Sequence, residues 1–258
     1  MTGRLSPARA RVAATTAIAV VAVAGCGGGK GSSSATSTQI PDTVKSELSA
    51  VAGVGVDSTV LTANSSSVAV YAAPSTAGST GTVKLHLANP NQDGAKLVFL
   101  VTAKLPGWWQ VLLPVQPNGS TGWVKTDQVT ASTTPYRIVV SRGQHTLTLY
   151  KSGGVIAVEK VAIGTSDTPT PGGRFYLAEL LKPPNPGGPY GPYAFGLSGF
   201  STALASFDGT KPVIGLHGTN EPQLLGHDVS HGCIRLSNDA ITRLAGTVPT
   251  GTPVDIIA

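Results

Sequence analysis

Short apolar runs separated by turn-forming residues recur along almost the whole chain, and this pattern constrains the fold most. The 258 residues include 32 glycines and 19 prolines, which interrupt any long helix. Valine and threonine are frequent within the runs, as is typical of strands. Charged residues make up only 12% of the sequence, so the long charged helices of helical proteins are absent. The sequence therefore predicts a mainly β protein with one short helix.

The N-terminus has the pattern of an export signal. A basic start is followed by 13 residues at 12–24 that are apolar or small apart from two threonines, too few for the roughly 20 that cross a bilayer. The segment ends in Val-Ala-Gly-Cys, which resembles a bacterial lipobox with Cys26 as the lipidated residue. We predict a signal peptide at 1–25, then Cys26 with a Gly/Ser/Thr-rich tether to residue 44. The protein would then be extracytoplasmic, anchored by lipid to the outer face of the membrane; the alternative is ordinary cleavage that leaves Cys26 as a free or paired thiol.

The net charge gives little support for a nucleic acid partner. The formal charge is +5, and removal of the three arginines at 4, 9 and 11 leaves 15 basic against 13 acidic residues, or +2. No run of lysines and arginines occurs, so we expect no nucleic acid binding.

Residues 45–132 form the first predicted β region. Five apolar runs, separated by turns such as Asn-Gln-Asp-Gly and Pro-Asn-Gly, begin near residues 68, 82, 96, 108 and 122. Their order resembles a bacterial SH3-like domain, which implies a small barrel of five or so strands. All three tryptophans, at 108, 109 and 123, lie here. They either form a ligand platform or, as we favour, pack a small domain that is short of apolar area.

Residues 135–258 form the second predicted β region. Alternating runs at 138–140 and 147–150 and a turn at 151–154 predict a hairpin that continues to residue 163. A Pro/Gly loop at 183–193 has the composition of a lid or groove wall. A short strand ends at His217, a helix capped by Asn238 is expected to end before Gly246, and a last strand begins at Val254.

Three histidines and one cysteine lie within 17 residues: His217, His227, His231 and Cys233. Zinc ligation, a buried small side chain and a nucleophilic thiol are the three interpretations. The spacings lack the paired ligands of structural zinc sites, and a cysteine beside histidine, glycine and arginine is an unusual core residue. If Cys26 carries lipid, Cys233 has no partner, and an exported unpaired thiol is a liability unless it is used. We favour the nucleophile.

A nucleophilic thiol requires a neighbouring base and hydrogen-bond donors for an oxyanion. We expect the site to lower the pKa of Cys233 and to place His217 opposite it as the base, with an acceptor for the second ring nitrogen. Gly232 lets the backbone approach a substrate, and amides around Gly232 and Cys233 are expected to donate to an oxyanion. The residues alone predict acyl transfer by a thiol, with the substrate unknown.

The stretches HGTN at 217–220 and SHGCIRLSN at 230–238, with TPTPGGRFY and GPYGPYAFGLSGF upstream, are similar to the signature of the L,D-transpeptidases. The resemblance covers about 137–258 and implies a β-sandwich-like catalytic domain without a metal or cofactor. It makes Cys233 the nucleophile, His217 the base and the Gly218 carbonyl its orienting group. Ser230, His231 and Gly232 would shape the oxyanion and substrate pocket, and Arg235 would hold a substrate carboxylate. Alternatively, Arg235 forms a structural ion pair with Asp228 or Asp239.

The resemblance also implies the substrate. Cys233 would attack the amide between the third and fourth residues of a peptidoglycan stem, release D-alanine and pass the acyl group to a diamino acid of a second stem, giving a 3→3 cross-link. Carbapenem-type β-lactams would be inhibitors. An L,D-carboxypeptidase that uses water, and a wall-binding lipoprotein with little catalysis, remain the alternatives. We interpret His227 as an exposed bystander, whereas His86 and His145 are expected on strands and have no identified partners.

Overall fold

The computed structural model describes residues 57–75, 81–206 and 209–258. The predicted signal peptide, Cys26 and the tether lie outside the described residues. The described part is mainly β, as predicted, and its two large sheets belong to one compact unit. No helix within it is long and apolar enough to span a membrane.

Seven strands of the described chain form the N-terminal sheet, which is antiparallel throughout. They are β1 (Ser58–Ala63), β2 (Ser67–Tyr71), β3 (Val83–Ala88), β4 (Val98–Leu105), β5 (Trp108–Leu112), β6 (Thr121–Lys125) and β7 (Val129–Thr134). The spatial order is β3-β2-β6-β5-β4-β1-β7. The five predicted runs became β2 to β6, and the sequence analysis missed β1 and β7.

The tryptophans of this sheet contribute mainly to packing. Trp108 and Trp123 are buried, and the ring of Trp108 meets that of Tyr71 edge-on with centroids 5.0 Å apart. Trp109 is half-buried beneath the ammonium group of Lys104. This environment supports the packing interpretation over a ligand platform.

The rest of the described chain forms the C-terminal sheet, a strand pair and one helix. The elements are β8 (Tyr136–Ser141), β9 (Thr146–Lys151), β10 (Gly154–Lys160), β11 (Ile163–Gly164), β12 (Gly173–Leu181), β13 (Ala194–Phe200), β14 (Val213–His217), β15 (Asp228–Ser230), β16 (Ile234–Arg235), α1 (Asn238–Thr247) and β17 (Pro253–Ile257). Eight strands are ordered β10-β9-β8-β17-β12-β13-β14-β16, and β11 pairs with β15. The predicted hairpin is present as β8, β9 and β10.

One apolar core joins distant strands of the C-terminal sheet. Leu147 of β9, Leu197 of β13, Ile214 of β14 and Ile241 of α1 all belong to a single buried cluster. Strands far apart in the spatial order can share a cluster only if the sheet curves around it. The core therefore lies between the two ends of the sheet and the helix.

Helix α1 begins one residue earlier than the sequence suggested. Its N-cap is Ser237, whose hydroxyl accepts a hydrogen bond from the Ala240 amide at 3.2 Å, so the prediction that Asn238 is the cap was wrong. The helix also continues through Gly246 to Thr247. Asn238 is thereby free to hold a neighbouring loop instead.

A second apolar cluster joins the two sheets. Val60, Val98, Leu100 and Leu112 of the N-terminal sheet pack against Tyr176 of β12. The hydroxyl of the fully buried Tyr176 donates to the Val98 carbonyl at 3.0 Å. Asn118 adds two further bonds, with the amide and the carbonyl of Phe200, at 2.9 and 2.8 Å. These contacts fix the N-terminal sheet against β12 and β13.

Candidate active site

Two parallel strands bring His217 and Cys233 together. His217 is the last residue of β14, Cys233 directly precedes β16, and the register pairs Leu216 with Ile234. The Gly215 amide donates to the Cys233 sulfur at 3.3 Å. A Cβ on Gly215 would lie 3.4 Å from that Sγ and 3.3 Å from Cδ2 of His217, so both side chains adjoin the same point above β14. The predicted pairing of this histidine with this cysteine is therefore present.

The imidazole of His217 is buried and held in one orientation. Its Nδ1 lies 2.6 Å from the Gly218 carbonyl, an acceptor, so Nδ1 carries the proton and Nε2 is left as the acceptor. The ring edge that contains Cδ2, the neighbour of Nε2, faces Gly215 and the cysteine. The ring of Tyr190 packs edge-on against the imidazole, with centroids 5.0 Å apart.

Asn238 holds the turn that carries this carbonyl. Its Oδ1 accepts from the Thr219 amide at 2.9 Å and lies where a side chain on Gly218 would have to be. The same oxygen occupies the space next to Gly191, which has a φ of +64° and belongs to the Pro/Gly loop. The sequence analysis assigned Asn238 to the helix cap only and missed this contact.

Burial sets the resting protonation state of the pair. Burial lowers the pKa of His217 to about 4. The hydrogen bond to the Gly218 carbonyl raises this pKa, and the charge of Arg235 lowers it further. Burial also raises the pKa of the Cys233 thiol, although the Gly215 amide and Arg235 oppose this. The expectation that the site lowers the thiol pKa was wrong, because desolvation outweighs one amide and one guanidinium. At neutral pH the pair is a thiol beside a neutral imidazole.

The segment Ser230–Cys233, the cysteine loop, is fixed by hydroxyl groups. The hydroxyl of Ser230 accepts from the Gly232 amide at 3.1 Å and donates to the Cys233 carbonyl at 2.6 Å. Gly232 has a φ of +114°, a conformation that favours glycine. Its amide is occupied by Ser230, whereas the Cys233 amide has no acceptor among the described residues and remains available to an oxyanion.

Thr170 supports this loop from beneath. Its buried hydroxyl donates to the Gly232 carbonyl and accepts from the Gly164 amide, both at 2.9 Å. Sequence reasoning did not single out Thr170, although the TPTPGGRFY motif that contains it was available as a signal.

The partner of Arg235 differs from both alternatives predicted for a structural ion pair. Its guanidinium donates to Glu221 at 3.2 Å, and its side chain lines the cleft. Asp228 instead lies 2.6 Å from Nε2 of His145, a residue of the turn before β9 rather than of a strand. His231 is exposed and lines the cleft, while His227 and His86 are exposed outside it. Within the described chain, no group of three or more His, Cys, Asp or Glu residues is arranged to hold a metal ion.

A cavity of about 930 Å³ opens in front of the pair. Strands β12, β13 and β14 contribute to its lining, as do Pro183, Pro189 and Tyr190 of the Pro/Gly loop. Gln92 and Asp93, from the loop between β3 and β4, also line it. The N-terminal sheet therefore contributes to the cleft, which sequence reasoning did not anticipate.

Glu179 is another of the titratable groups that line the cleft, which also include Asp93, Lys182 and Lys211. Glu179 of β12 is only 8% exposed and accepts a hydrogen bond from Asn91 at 2.6 Å. Burial raises the pKa of its carboxyl, the Asn91 hydrogen bond lowers it and the nearby Asp93 raises it.

A cysteine beside a neutral histidine that a main-chain carbonyl orients is the arrangement of enzymes that transfer acyl groups through a thioester. The model of the YkuD family, the L,D-transpeptidase catalytic domain, matches residues 135–256. A Bacillus licheniformis protein provisionally named L,D-transpeptidase YkuD is 38% identical over 154 residues, which cover 57% of this chain and 85% of the relative. The Bacillus subtilis protein of that name is 42% identical over 124 residues, covering 48% and 67%. On these sequence matches, the chain belongs to the L,D-transpeptidase family.

Among solved structures, an L,D-transpeptidase from Mycobacterium smegmatis aligns with 62% of this chain and 90% of its own, at 17% identity and a TM-score of 0.41.

Proposed function

We propose that this protein is a peptidoglycan L,D-transpeptidase that forms 3→3 cross-links through a thioester on Cys233. One observation carries the proposal: Cys233 and His217 adjoin the same point above Gly215, and the Gly218 carbonyl directs the free nitrogen of His217 to that side. Family membership supports the substrate class.

The geometry supports a mechanism without a preformed thiolate. As the sulfur attacks the carbonyl carbon between the third and fourth stem residues, Nε2 of His217 takes the thiol proton. The Cys233 amide donates to the developing oxyanion, and the imidazolium then protonates the amine of the leaving D-alanine. The amine of a second stem attacks the thioester, His217 takes its proton, and the released sulfur recovers a proton.

Arg235 is the proposed partner of a substrate carboxylate. Its side chain lines the cleft and is bound on one edge to Glu221, whose own side chain is 48% exposed. A guanidinium has donors for a second carboxylate, so both interactions are compatible with one position of Arg235. His231, exposed at the rim of the cleft, is proposed to contact the bound stem.

Removal of the sulfur tests the function. Cys233→Ala is expected to abolish thioester formation and cross-linking while the protein stays folded, since it leaves only a small cavity. Intact-mass measurement after exposure to a stem peptide or a carbapenem should show an adduct on the wild type and none on the variant. Cross-linking that persists in the variant contradicts the proposal. Product analysis with and without an acceptor stem separates transfer to an amine from hydrolysis by water.

The position of the protein outside the cell is also part of the proposal. Lipidation of Cys26 after cleavage at residue 25 would anchor the chain to the membrane through the tether at 26–44, and the N-terminal sheet is proposed to be SH3-like. The lipobox pattern and the family's wall substrate support this arrangement. Cys26→Ser is expected to move the protein from the membrane fraction to the medium, and retention in the membrane would contradict the anchor.

A further inference from the structure

A row of paired residues connects Glu179 with the reactive pair. Glu179 of β12 lies opposite Gly196 of β13, and Gly196 lies opposite Gly215 of β14. Residues directly opposite each other point to the same face of a sheet, at positions about 5 Å apart. The carboxyl group of Glu179 covers Gly196, where a Cβ would come within 2.5 Å of Oε1, while Cys233 and His217 lie over Gly215. Glu179 is thus the neighbour of the reactive pair on the floor of the cleft.

The Glu179 carboxylate lacks a cationic partner. Oε2 accepts from Asn91 at 2.6 Å. Throughout the described ranges, Oε1 has no hydrogen-bond donor, and no lysine or arginine lies within ion-pair distance of the group. Asp93 nearby adds negative charge. Since no buried side-chain nitrogen or oxygen of the described chain lacks a partner, the unpaired Oε1 is accessible from the cleft, where a bound cation would pair with it.

The orientation of Asn91 is determined by its own partners. Its Oδ1 accepts from the amides of Asp93 and Ala95, at 3.1 and 2.8 Å. Only Nδ2 can therefore face Glu179, and it can only donate. The loop between β3 and β4 thus presents a donor that holds Glu179 as an acceptor, with its second oxygen left for a ligand.

We propose that Glu179, held by Asn91, binds a primary ammonium group of the substrate, the side-chain ammonium of a stem's diamino acid. An amine of this kind is protonated at neutral pH, as lysine is. This rests on the proposed function, and it gives the N-terminal sheet a part in substrate selection, because Asn91 and Asp93 lie in the loop that joins its strands β3 and β4.

Binding measurements test the subsite apart from catalysis. In a Cys233→Ala background, a tetrapeptide stem with a lysine-type side chain is titrated by calorimetry against the same stem with a neutral norleucine-type side chain. The Kd is expected to be about tenfold lower for the ammonium stem. Adding Glu179→Gln, which keeps an acceptor for Asn91, should remove this preference and leave binding of the neutral stem unchanged. Equal affinities in the parent, or an equal loss for both stems, overturns the proposal.

The remaining comparisons distinguish the source of the ammonium group. With Cys233 present, a Glu179→Gln effect on the KM of acylation assigns the ammonium group to the donor stem. An effect on the KM of the acceptor alone assigns it to the acceptor, whose ammonium must then pass one proton to Glu179 before the amine attacks the thioester. No effect on either overturns the proposal. Glu159→Gln, which removes an acidic group paired with Arg243 on another surface, should change none of these values. If the ammonium preference is present but no thioester ever forms, the subsite stands and the proposed reaction fails.

Discussion

At the scale of single residues, the two reactive groups both favour their neutral forms when the site is empty. The pKa of His217 is lowered to about 4 and that of Cys233 is raised, in each case chiefly by burial. A neutral imidazole can accept a proton at once, whereas an imidazolium could not. In the proposed mechanism, the thiol therefore loses its proton as it attacks the substrate, because no thiolate–imidazolium pair forms beforehand.

The first prediction concerns the pH dependence of acylation. Since His217 must be neutral to act as the base, the rate of thioester formation should fall only as the pH approaches about 4. Stopped-flow or quenched mass measurements from pH 3.5 to 8 would locate this limb. A limb near the ordinary histidine value of 6.5 would mean that the ring is solvated in the working enzyme.

The same shift makes a prediction about stability. Between about pH 6.5 and about pH 4 the unfolded chain binds a proton at residue 217 that the folded chain does not, so the free energy of unfolding falls as the pH falls. The loss from this residue should be about 3 kcal/mol across the window. The free energies of unfolding of the wild type and His217→Gln, measured by denaturant titration, should converge as the pH falls. A constant difference between the two proteins across this pH range would contradict the assignment.

Gly232 provides a third prediction. Gly232→Ala places a side chain at a φ of +114° and within 3.2 Å of Ile214, so we expect a loss of about 1–3 kcal/mol of stability and slower acylation. Gly246→Ala is the matched control, because Gly246 is exposed in α1 with no atom near its Cβ position. That change should instead stabilise the protein by about 0.5–1 kcal/mol. Chemical denaturation and acylation assays would compare the two.

At the scale of elements, the cysteine loop (Ser230–Cys233) depends on the segment before β12. Thr170→Val leaves the Gly232 carbonyl and the Gly164 amide without their partner, which should cost about 1–3 kcal/mol and reduce kcat for acylation. Thr170→Ser retains the hydroxyl and should restore kcat. Thr148→Val on β9, whose hydroxyl makes no hydrogen bond among the described residues, is the control for the loss of a threonine. Failure of serine to rescue would mean that the methyl group, not the hydroxyl, matters.

The elements also show what the sequence could and could not supply. Runs with several large apolar residues predicted β2 to β6 and the β8–β10 hairpin, because strands that are buried on at least one face carry apolar residues at regular positions. Strands β1 and β7 were missed because serine and threonine make up half of β1 and most of β7, and because β7 is largely exposed. His217 and Cys233 were found through motif and spacing. Their pKa values, the contacts of Asn238 and the acceptor of Arg235 depend on which segments fold over them, and no local pattern encodes that.

At the scale of the whole molecule, the two sheets are joined by a buried interface. In isolation, the N-terminal sheet would expose the apolar surface of Val60, Val98, Leu100 and Leu112, and Asn91 would lose its contact with Glu179. The N-terminal sheet therefore contributes, through the loop between β3 and β4, to the lining of the cleft in front of Cys233.

Cooperativity between the sheets is the last prediction. Because Tyr176 is fully buried between them and donates to the Val98 carbonyl, both sheets should unfold in one calorimetric transition. Tyr176→Phe leaves that carbonyl unsatisfied, so the free energy of unfolding should fall by about 1–3 kcal/mol. The protein should still unfold in a single transition, at a lower temperature. Two transitions in the wild type, of which only one moves in the variant, would show that the sheets fold independently. The loop of Asn91 and Asp93 would then be tethered to the cleft rather than built into it, and substrate selection by the N-terminal sheet would lose its structural basis.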